Sequence, residues 1–439
     1  MRALTDSRQF WIGELPVCWR VLRGKDLFAK CSLPVHESDE VVTCFRDGQT
    51  TLRKNRREEG FTFAIQEHGY QGVRKGHLVV HAMDAFAGAI GVSDSNGKCS
   101  PVYSVCRSKG PAFLPFFVYY LRDLADIGYI QSVAKGIRER STDFRFTEIA
   151  RTYFAVPPLD EQQRIAAWLF VQTSRIDKRL GMLGSKRNLL NDLRKSVVNE
   201  AIVKGVDPKV PCVCKDSFFF PALPGHWGLE KFKRRVLFRE GPGIMAVDFE
   251  ETGTPLLRIG NITPGRITMD GCNYVQPEKA KTKWKHFQLR LGDLVISASA
   301  SVGIVSEAGE DAVGAIPYTG LIILRPTPGL HKGYLKHFVV SGSFLAQIAD
   351  HQKGSTIQHY GPTHLKQMLI PVPPFNEQER IAEFLDLKTA QIDKQLSLIE
   401  RLEALLIEIR KALIHEAVTG KIDLSTYIPP VVAAAELVA

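Results

Sequence analysis

The stretch PPLDEQQRIA at residues 157–166 returns as PPFNEQERIA at residues 373–382. The likeness continues beyond it: 19 of the 45 positions at 157–201 are identical at 373–417. A long internal repeat of this kind is the first feature to look for in a chain, because it defines the architecture. The sequence therefore predicts one structural unit that is present twice.

The segments upstream of this stretch repeat more weakly. GELP at 13–16, followed by Trp19, resembles PALP at 221–224, followed by Trp227. Similarly, KGHLV at 75–79 resembles LGDLV at 291–295. Each half is therefore predicted to contain a divergent globular part followed by a similar helical part.

Each strongly repeated stretch begins with a helix-start pattern. The Pro-Pro pair keeps the preceding chain extended. Asp160 with Gln163, and Asn376 with Glu379, then have the spacing of a capping box. We expect a long helix to begin at each of these places.

Apolar residues recur every seven positions along both predicted helices, which is typical of a coiled coil. Two ordinary core helices are the alternative interpretation. About 45 residues of helix span roughly 65 Å, so these helices are predicted to act as spacers. The expected core positions are Leu169, Ile176, Leu183, Leu190 and Val197 in the first helix, and Leu385, Ile392, Ile399, Leu406 and Leu413 in the second.

Opposite charges favour pairing of the two helical segments within one chain. Residues 156–210 carry a net charge of +4 and residues 373–439 carry −4. Segments of opposite sign prefer each other to copies of themselves, and the intervening globular part makes an antiparallel pair the simpler arrangement. Gly181 and Gly184 interrupt the first helix, and either a kink or the close approach of a partner would explain them.

The overall composition is that of an ordinary globular protein with a basic excess. The chain has 439 residues and a net charge of +10, which suits a nucleic-acid partner. Its eight cysteines lack zinc-type spacing, so we expect free thiols and no metal site. No signal peptide or membrane span is evident, and we expect a cytoplasmic protein without membrane contact.

The positive excess lies in the two globular parts, since residues 1–155 and 211–372 each carry a net charge of +5. Both parts have short β-prone runs bounded by Gly, Asp and Asn, which predicts mixed α/β domains. If the lysine-rich segment 279–285 is a strand, its alternating lysines share one face. Solvated surface or plain turns are the alternative interpretation of all these groups. The candidate nucleic-acid contacts from basic clusters and polar loops are Arg53, Lys54, Arg56, Arg57, Arg138, Arg140, Arg145, Lys233, Arg234, Lys281, Lys283, Lys285, Lys353, Gln358 and His359.

Motifs that carry catalysis are missing from the sequence. It contains no P-loop, no dinucleotide fingerprint, no His-Glu-x-x-His and no Gly-x-Ser-x-Gly. The Pro-Pro-Phe at 373–375 follows Val372, where an amino-methyltransferase would place a polar side chain. We therefore predict no catalytic residues and no cofactor on this chain.

The tandem plan resembles the specificity (S) subunit of type I restriction–modification systems. The Pro-Pro-Leu/Phe-x-Glu-Gln-x-Arg-Ile motif before a long helix looks like that family's repeated spacer. PLLRIGNI at 255–262 and GDLVIS at 292–297 look like its target-recognition domains, which adds Arg258 and Asn261 to the candidate DNA contacts. The first globular part has no clear counterpart of RIGN.

The resemblance implies an α+β fold in which two mixed α/β target-recognition domains are joined by two long antiparallel coiled-coil helices, with an internal pseudo-two-fold repeat. The implied domains are 1–155, the central spacer helix 156–210, 211–372, and the C-terminal helix and tail 373–439. Each recognition domain would read one half of a split double-stranded DNA site.

The same resemblance implies that two methyltransferase (M) subunits and restriction/translocase (R) subunits are the partners. S-adenosylmethionine, ATP and Mg would then bind to those subunits. A DNA-modifying enzyme fused into this chain, or a coiled-coil scaffold without a role at DNA, are the alternatives.

Overall fold

A computed structural model of the chain describes residues 2–56, 68–134, 143–298, 303–351 and 360–430. The chain divides into two compact units. Unit 1 contains residues 1–183 and 400–439, and unit 2 contains residues 184–399. Each unit therefore combines one globular part with segments of both long helices.

Unit 1 has a globular part of short strands and helices. Its helices are α1 (Gly24–Leu27), α2 (Leu114–Asp126), α3 (Tyr129–Val133) and α4 (Phe146–Arg151). Its strands are β1 (Leu4–Asp6), β2 (Glu14–Pro16), β3 (Arg20–Arg23), β4 (Phe28–Lys30), β5 (Val42–Cys44), β6 (Thr50–Leu52), β7 (Gln71–Val73), β8 (Leu78–His81), β9 (Ile90–Val92), β10 (Gly97–Cys99), β11 (Tyr103–Ser108) and β12 (Tyr153–Val156).

The main sheet of unit 1 has the strand order β4-β11-β8-β9 and is antiparallel. Helix α2 packs its apolar face on one side of this sheet, where Phe28, Phe117 and Phe154 meet edge to face. Val42, Val79 and neighbouring buried residues form a smaller core. The pairs β1-β2, β3-β12, β5-β6 and β7-β10 complete the unit.

Unit 2 is built in the same way with different contents. Its globular helices are α6 (Phe232–Arg235), α7 (Pro277–Lys281), α8 (Lys332–Phe338), α9 (Gly342–His351) and α10 (Pro362–Leu365). Its strands are β13 (Cys212–Cys214), β14 (Ala222–Pro224), β15 (Gly228–Lys231), β16 (Val236–Glu240), β17 (Phe249–Glu250), β18 (Thr254–Leu257), β19 (Gly265–Arg266), β20 (Asn273–Val275), β21 (Leu294–Ser297), β22 (Val305–Glu307), β23 (Ile316–Pro317), β24 (Leu321–Pro326) and β25 (Leu369–Val372).

The main sheet of unit 2 has the order β16-β24-β21-β22-β19, so its first four strands repeat the order found in unit 1. The ladders also correspond, because Leu78 faces Cys106 in one unit and Leu294 faces Leu324 in the other. A second sheet, β17-β20-β18-β23, is an addition. The repeat therefore extends through the globular parts, where the sequences have diverged most.

The weakly repeated motifs occupy matching places. Strand β2 or β14 ends in Leu-Pro, and the backbone N–H of Trp19 or Trp227 then donates to the carbonyl of Pro16 (2.8 Å) or Pro224 (3.0 Å). Next, β3 or β15 pairs with the strand that precedes the long helix. This pairing brings the start of each globular part next to the start of its helix.

The predicted long helices are present as α5 (Leu159–Lys204) and α11 (Phe375–Val418). In unit 1, residues Ile165 and Leu169 share a core with Ile414 and Val418 near the opposite end of the other helix. In unit 2, Val198 and Ile202 share a core with Ile381 and Leu385. The helix segments are therefore antiparallel in each unit, which confirms the predicted α+β fold class.

Ion pairs follow the same repeat. In unit 2, Arg194 pairs with Asp393 across the two helix segments. In unit 1, Arg410 Nε lies 3.3 Å from Asp177 Oδ1. Each pair joins the residues that correspond after a shift of 216 positions, so the two units use one register.

The heptad positions fill the space between these segments. Six of them are buried: Leu169, Ile176, Leu190, Leu385, Ile392 and Ile399. Leu183, Val197, Leu406 and Leu413 are half-buried. Helix α5 is continuous through Gly181 and Gly184, where an added Cβ would meet no described atom within 4 Å outside the helix backbone.

The lysine-rich segment 279–285 is not a strand, so the prediction of lysines on one strand face is wrong. Its first part belongs to α7, and a 3₁₀ turn follows at Lys285–Phe287. Pro277 at the first helical position favours a helix start, and burial of Trp284 fixes the turn. None of the helices in the described residues is long and apolar enough to cross a membrane.

Candidate nucleic-acid interface

A buried glutamine joins each globular part to its long helix. The amide of Gln162 accepts a hydrogen bond from Phe113 N (2.8 Å) and donates to the carbonyls of Pro111 (2.7 Å) and Pro157 (2.9 Å). Gln378 does the same with His331 N (2.7 Å), Gly329 O (3.1 Å) and Pro373 O (2.9 Å).

The preceding glutamate of the motif makes a second link. In unit 2, Glu377 accepts hydrogen bonds from Trp227 Nε1 (2.9 Å) and faces His226 Nε2 (2.7 Å). In unit 1, Glu161 pairs with Arg2 instead. The repeated Glu-Gln therefore orients each globular part on its helix, which is what a fixed reading surface requires.

Arg258 is the best-positioned candidate contact of unit 2. Its guanidinium is exposed and lies over the rings of Phe249 (5.4 Å) and Tyr318 (5.6 Å), so aromatic stacking orients it. No carboxylate pairs with it among the described residues. An oriented, exposed arginine is the side chain that reads guanine or binds phosphate.

Asn261 lies in the turn beside it but is 3% exposed. Its Oδ1 accepts from Arg258 N (2.8 Å), and its Nδ2 donates to the carbonyls of Thr268 (3.1 Å) and Asp270 (3.0 Å). These contacts use its amide to shape the turn. The geometry therefore indicates that Asn261 acts by placing Arg258.

The remaining cations of unit 2 differ in their partners. Lys281 lies 4.0 Å from Glu278, and Lys283 lies over the ring of Trp284 at 5.4 Å. In the described part of the chain, Lys233, Arg234 and Lys285 have no carboxylate partner. These three are exposed, which leaves their charge available to a polyanion.

The candidates of unit 1 are largely paired within the chain. Lys54 binds Glu40 at 2.5 Å, and Arg145 binds Asp143 at 2.7 Å. Arg56 binds Asp47, and that hydrogen bond raises the pKa of Arg56. Arg53 Nε donates to Thr43 Oγ1 at 3.3 Å. Any contact with DNA by these side chains would have to compete with their internal partners.

Some candidates lie outside the described residues. They are Arg57, Arg138, Arg140, Lys353, Gln358 and His359.

Other basic residues near strand β24 were missed from the sequence. Arg239, Arg290 and Arg325 lie around a cavity of unit 2, and each stands alone in the sequence instead of in a basic run. The signal that could have found one of them is the repeated turn, since Arg290 and Arg74 precede equivalent Gly-containing turns.

Both long helices also carry an exposed apolar stripe. On α11 it consists of Leu398, Leu402, Leu405 and Ile409, which are 40–56% exposed. On α5 the corresponding positions include Met182, Leu189 and Leu193, which are 50–70% exposed. Heptad spacing on an outward face is typical of a helix that packs on further helices.

The described residues contain no group of three or more His, Cys, Asp or Glu side chains that could hold a metal ion. All eight cysteines are free, as expected for a chain that needs no disulfides. Burial raises the pKa of Cys44, Cys99 and Cys106 to about 12, so these thiols are unreactive.

Comparison with known proteins gives a family match. Residues 240–404 match the type I restriction modification DNA specificity domain. The chain is 23% identical over 313 residues to the MjaVIII specificity subunit of Methanocaldococcus jannaschii, covering 70% of each chain. It is 30% identical over 173 residues to the EcoKI specificity subunit of Escherichia coli K12, covering 38% of this chain and 36% of that one.

Solved structures show the same fold. A chain from a structure of type I R-M complex assembly and conformational transition matches with a TM-score of 0.69 at 18% identity. The match covers 93% of this chain and 99% of that one. The HsdS subunit of Thermoanaerobacter tengcongensis matches with a TM-score of 0.50 at 18% identity, over 93% and 98% of the two chains.

The duplicated domains, their helix anchors and the exposed cations define a DNA-reading protein built on paired helices. The chain belongs to the family of specificity subunits of type I restriction–modification systems. Its relatives are named as specificity subunits of restriction enzymes, which confirms the prediction of a non-catalytic subunit.

Proposed function

We propose that this subunit reads a split, asymmetric double-stranded DNA site, with one half recognised by each globular domain. The observation that carries the proposal is the duplication: the same sheet order and the same glutamine anchor occur twice with different surface residues. Repeating the framework while changing its contents produces two readers that are oriented alike but specific for different bases.

The paired helices would set the gap between the two half-sites. Helices α5 and α11 contain 46 and 44 residues, or roughly 65–70 Å at 1.5 Å per residue. Half-sites one helical turn apart are separated by about 34 Å, which lies within that reach. Two readers on a stiff connection gain effective concentration only where the spacing fits.

The partners proposed are two methyltransferase (M) subunits and restriction/translocase (R) subunits. The exposed apolar stripes of α5 and α11 support docking of helices from the M subunits. Because the stripes repeat at equivalent positions, they favour one M subunit for each repeat. We expect S-adenosylmethionine to bind the M subunits, ATP and Mg to bind the R subunits, and the complex to act in the cytoplasm.

Methylation profiling of DNA from cells that express this chain with its methyltransferase partner tests the proposal. The expected result is an adenine-methylated motif with two defined parts and a fixed gap. A contiguous motif, or none in cells where the assembled complex is demonstrated, would contradict it.

A further inference from the structure

A cavity of about 400 Å³ opens in unit 2 between strands β16 and β24 and the segment 285–290. Four cationic side chains line it, from Arg239, Lys285, Arg290 and Arg325. A smaller cavity of about 190 Å³ next to it shares Arg239 and Arg325. Small-molecule sites have volumes of roughly 300–1,000 Å³, so the larger cavity can admit a nucleotide-sized group.

Arg325 is held at the back of the cavity by a buried carboxylate. Its Nε and Nη2 donate to Oδ1 and Oδ2 of Asp293 at 2.7 and 2.6 Å. This hydrogen bonding raises the pKa of Arg325, which therefore stays charged. Asp293 also accepts the backbone N–H of Arg290 at 2.8 Å, so one carboxylate fixes both the arginine and the turn.

The other cations have no such counterion. Within the described ranges, no carboxylate pairs with Arg239, Lys285 or Arg290, and all three are exposed. Arg239 is nevertheless oriented, because its Nη1 donates to His286 O at 2.8 Å and its guanidinium lies 5.5 Å from the ring centre of Phe287. Three charges thus converge on one cavity without compensation.

This arrangement suits a phosphate group. Guanidinium groups bind phosphate with paired, charge-assisted hydrogen bonds, and a lysine adds a mobile point charge. The loss of solvation that like charges suffer when they are brought together is offset only by an anion. A fixed arginine behind three unpaired cations is therefore a preformed anion site.

Unit 1 does not reproduce this arrangement. The sheet register places Arg74 at the position of Arg290, and His77 at that of Asp293. There the Arg74 guanidinium donates to the carbonyls of Val73 (2.8 Å) and Gly97 (3.3 Å) and lies 3.4 Å from Asp39. Arg74 is therefore paired within its own domain, and the cavity is a distinguishing feature of unit 2.

We propose that this cavity binds a backbone phosphate of the DNA beside the half-site that unit 2 reads. The inference rests on the proposed function. The phosphate would fix the register of the domain on the duplex, while base specificity would come from other side chains. A free phosphate compound has the same chemistry and is the other source to test.

The test uses the full chain assembled with its methyltransferase partner, bound to duplex DNA that carries the motif found by methylation profiling. Lys285→Gln with Arg290→Gln removes two exposed charges from the cavity. Lys209→Gln with Lys366→Gln removes two exposed charges elsewhere on unit 2 and serves as the matched control. Affinity is measured by fluorescence anisotropy over a range of salt concentrations.

The cavity variant is expected to bind the site at least about tenfold more weakly than the control, as for lost charge-assisted hydrogen bonds. Its salt slope should fall by roughly one unit for each phosphate released. Neutral methylphosphonate placed singly along the second half-site should weaken the wild type at one or two positions. At those same positions it should leave the cavity variant unaffected.

Equal DNA binding by cavity variant and control would overturn the inference. So would loss of inorganic pyrophosphate binding without loss of DNA affinity, which would assign the cavity to a free phosphate compound. If the wild-type complex does not prefer its motif over a scrambled duplex, the proposed function itself fails, and that result is distinct from both.

Discussion

Gln162 and Gln378 each have a side chain that is fully buried and fully hydrogen-bonded. The sequence shows that they repeat, but repetition alone does not distinguish a structural link from a DNA contact. The distinction depends on the backbone groups of distant loops, such as Phe113 N, which only the folded chain brings near. The same limit applies to Asn261, which was predicted to contact DNA and is buried in a turn.

Replacing Gln162 by Leu tests the anchoring role. The substitution leaves the N–H of Phe113 and two carbonyls without their partner, so the free energy of unfolding should fall by about 3 kcal/mol. Urea denaturation of the chain measures it. Gln163→Leu, at the exposed neighbouring position, should change stability by no more than about 0.5 kcal/mol. Equal effects of the two substitutions would refute the anchor.

His337 makes unit 2 sensitive to acid. Burial lowers the pKa of His337 below its ordinary 6.5, although the hydrogen bond to Asp386 opposes this and Lys336 lies nearby. The unfolded chain then binds a proton more readily than the folded chain. The stability that neutral His337 contributes is present above about pH 6.5 and is lost as the pH falls below it.

Unfolding measured between pH 7.5 and 5 should therefore decline less steeply for His337→Asn than for the wild type. His77 and His81 also have lowered pKa values, but they are present in both proteins and cancel in the difference. Parallel curves for the two proteins would mean that His337 does not contribute to the acid sensitivity.

At the scale of elements, the long helices were predictable and the short strands were not. Five successive heptads specify a helix whatever surrounds them, because the pattern repeats more often than chance allows. Strands of three or four residues carry too few side chains to show an alternation. The lysine-rich segment 279–285 illustrates the failure, since its alternating pattern belongs to a helix and a 3₁₀ turn.

Adjacent leucine and isoleucine positions on α11 test the helix packing. Ile399 is 3% exposed and Leu398 is 56% exposed. Ile399→Asp should lower the free energy of unfolding by at least about 3 kcal/mol, because it buries a charge without a partner. Leu183→Asp, at a half-buried position, should cost less.

Leu398→Asp is the matched control and should leave the chain nearly as stable as the wild type. Chemical denaturation of the three variants gives the comparison. If Leu398→Asp is as destabilising as Ile399→Asp, the helices do not pack along the predicted heptad positions.

At the scale of the whole molecule, the repeat was the most informative feature of the sequence. It predicted the fold class and the family from a motif of ten residues, and the sheet orders extend it into regions where few residues match. The base contacts could not be predicted, because the side chains that vary between family members are the ones that set specificity. Lone arginines such as Arg239 and Arg325 become a cluster only after folding.

Modularity follows directly from this duplication. Each globular domain has its own core and its own glutamine anchor, so residues 211–372 should be replaceable without disturbing the other domain. The boundaries of this exchange lie beside the repeated motif, where the framework is most alike.

The central claim is tested most directly by exchanging residues 211–372 for the equivalent domain of another specificity subunit and profiling DNA methylation in cells with the same methyltransferase. The account predicts that one half of the motif changes, while the other half and the gap stay as they are. Loss or alteration of both halves in a complex that still assembles would contradict it.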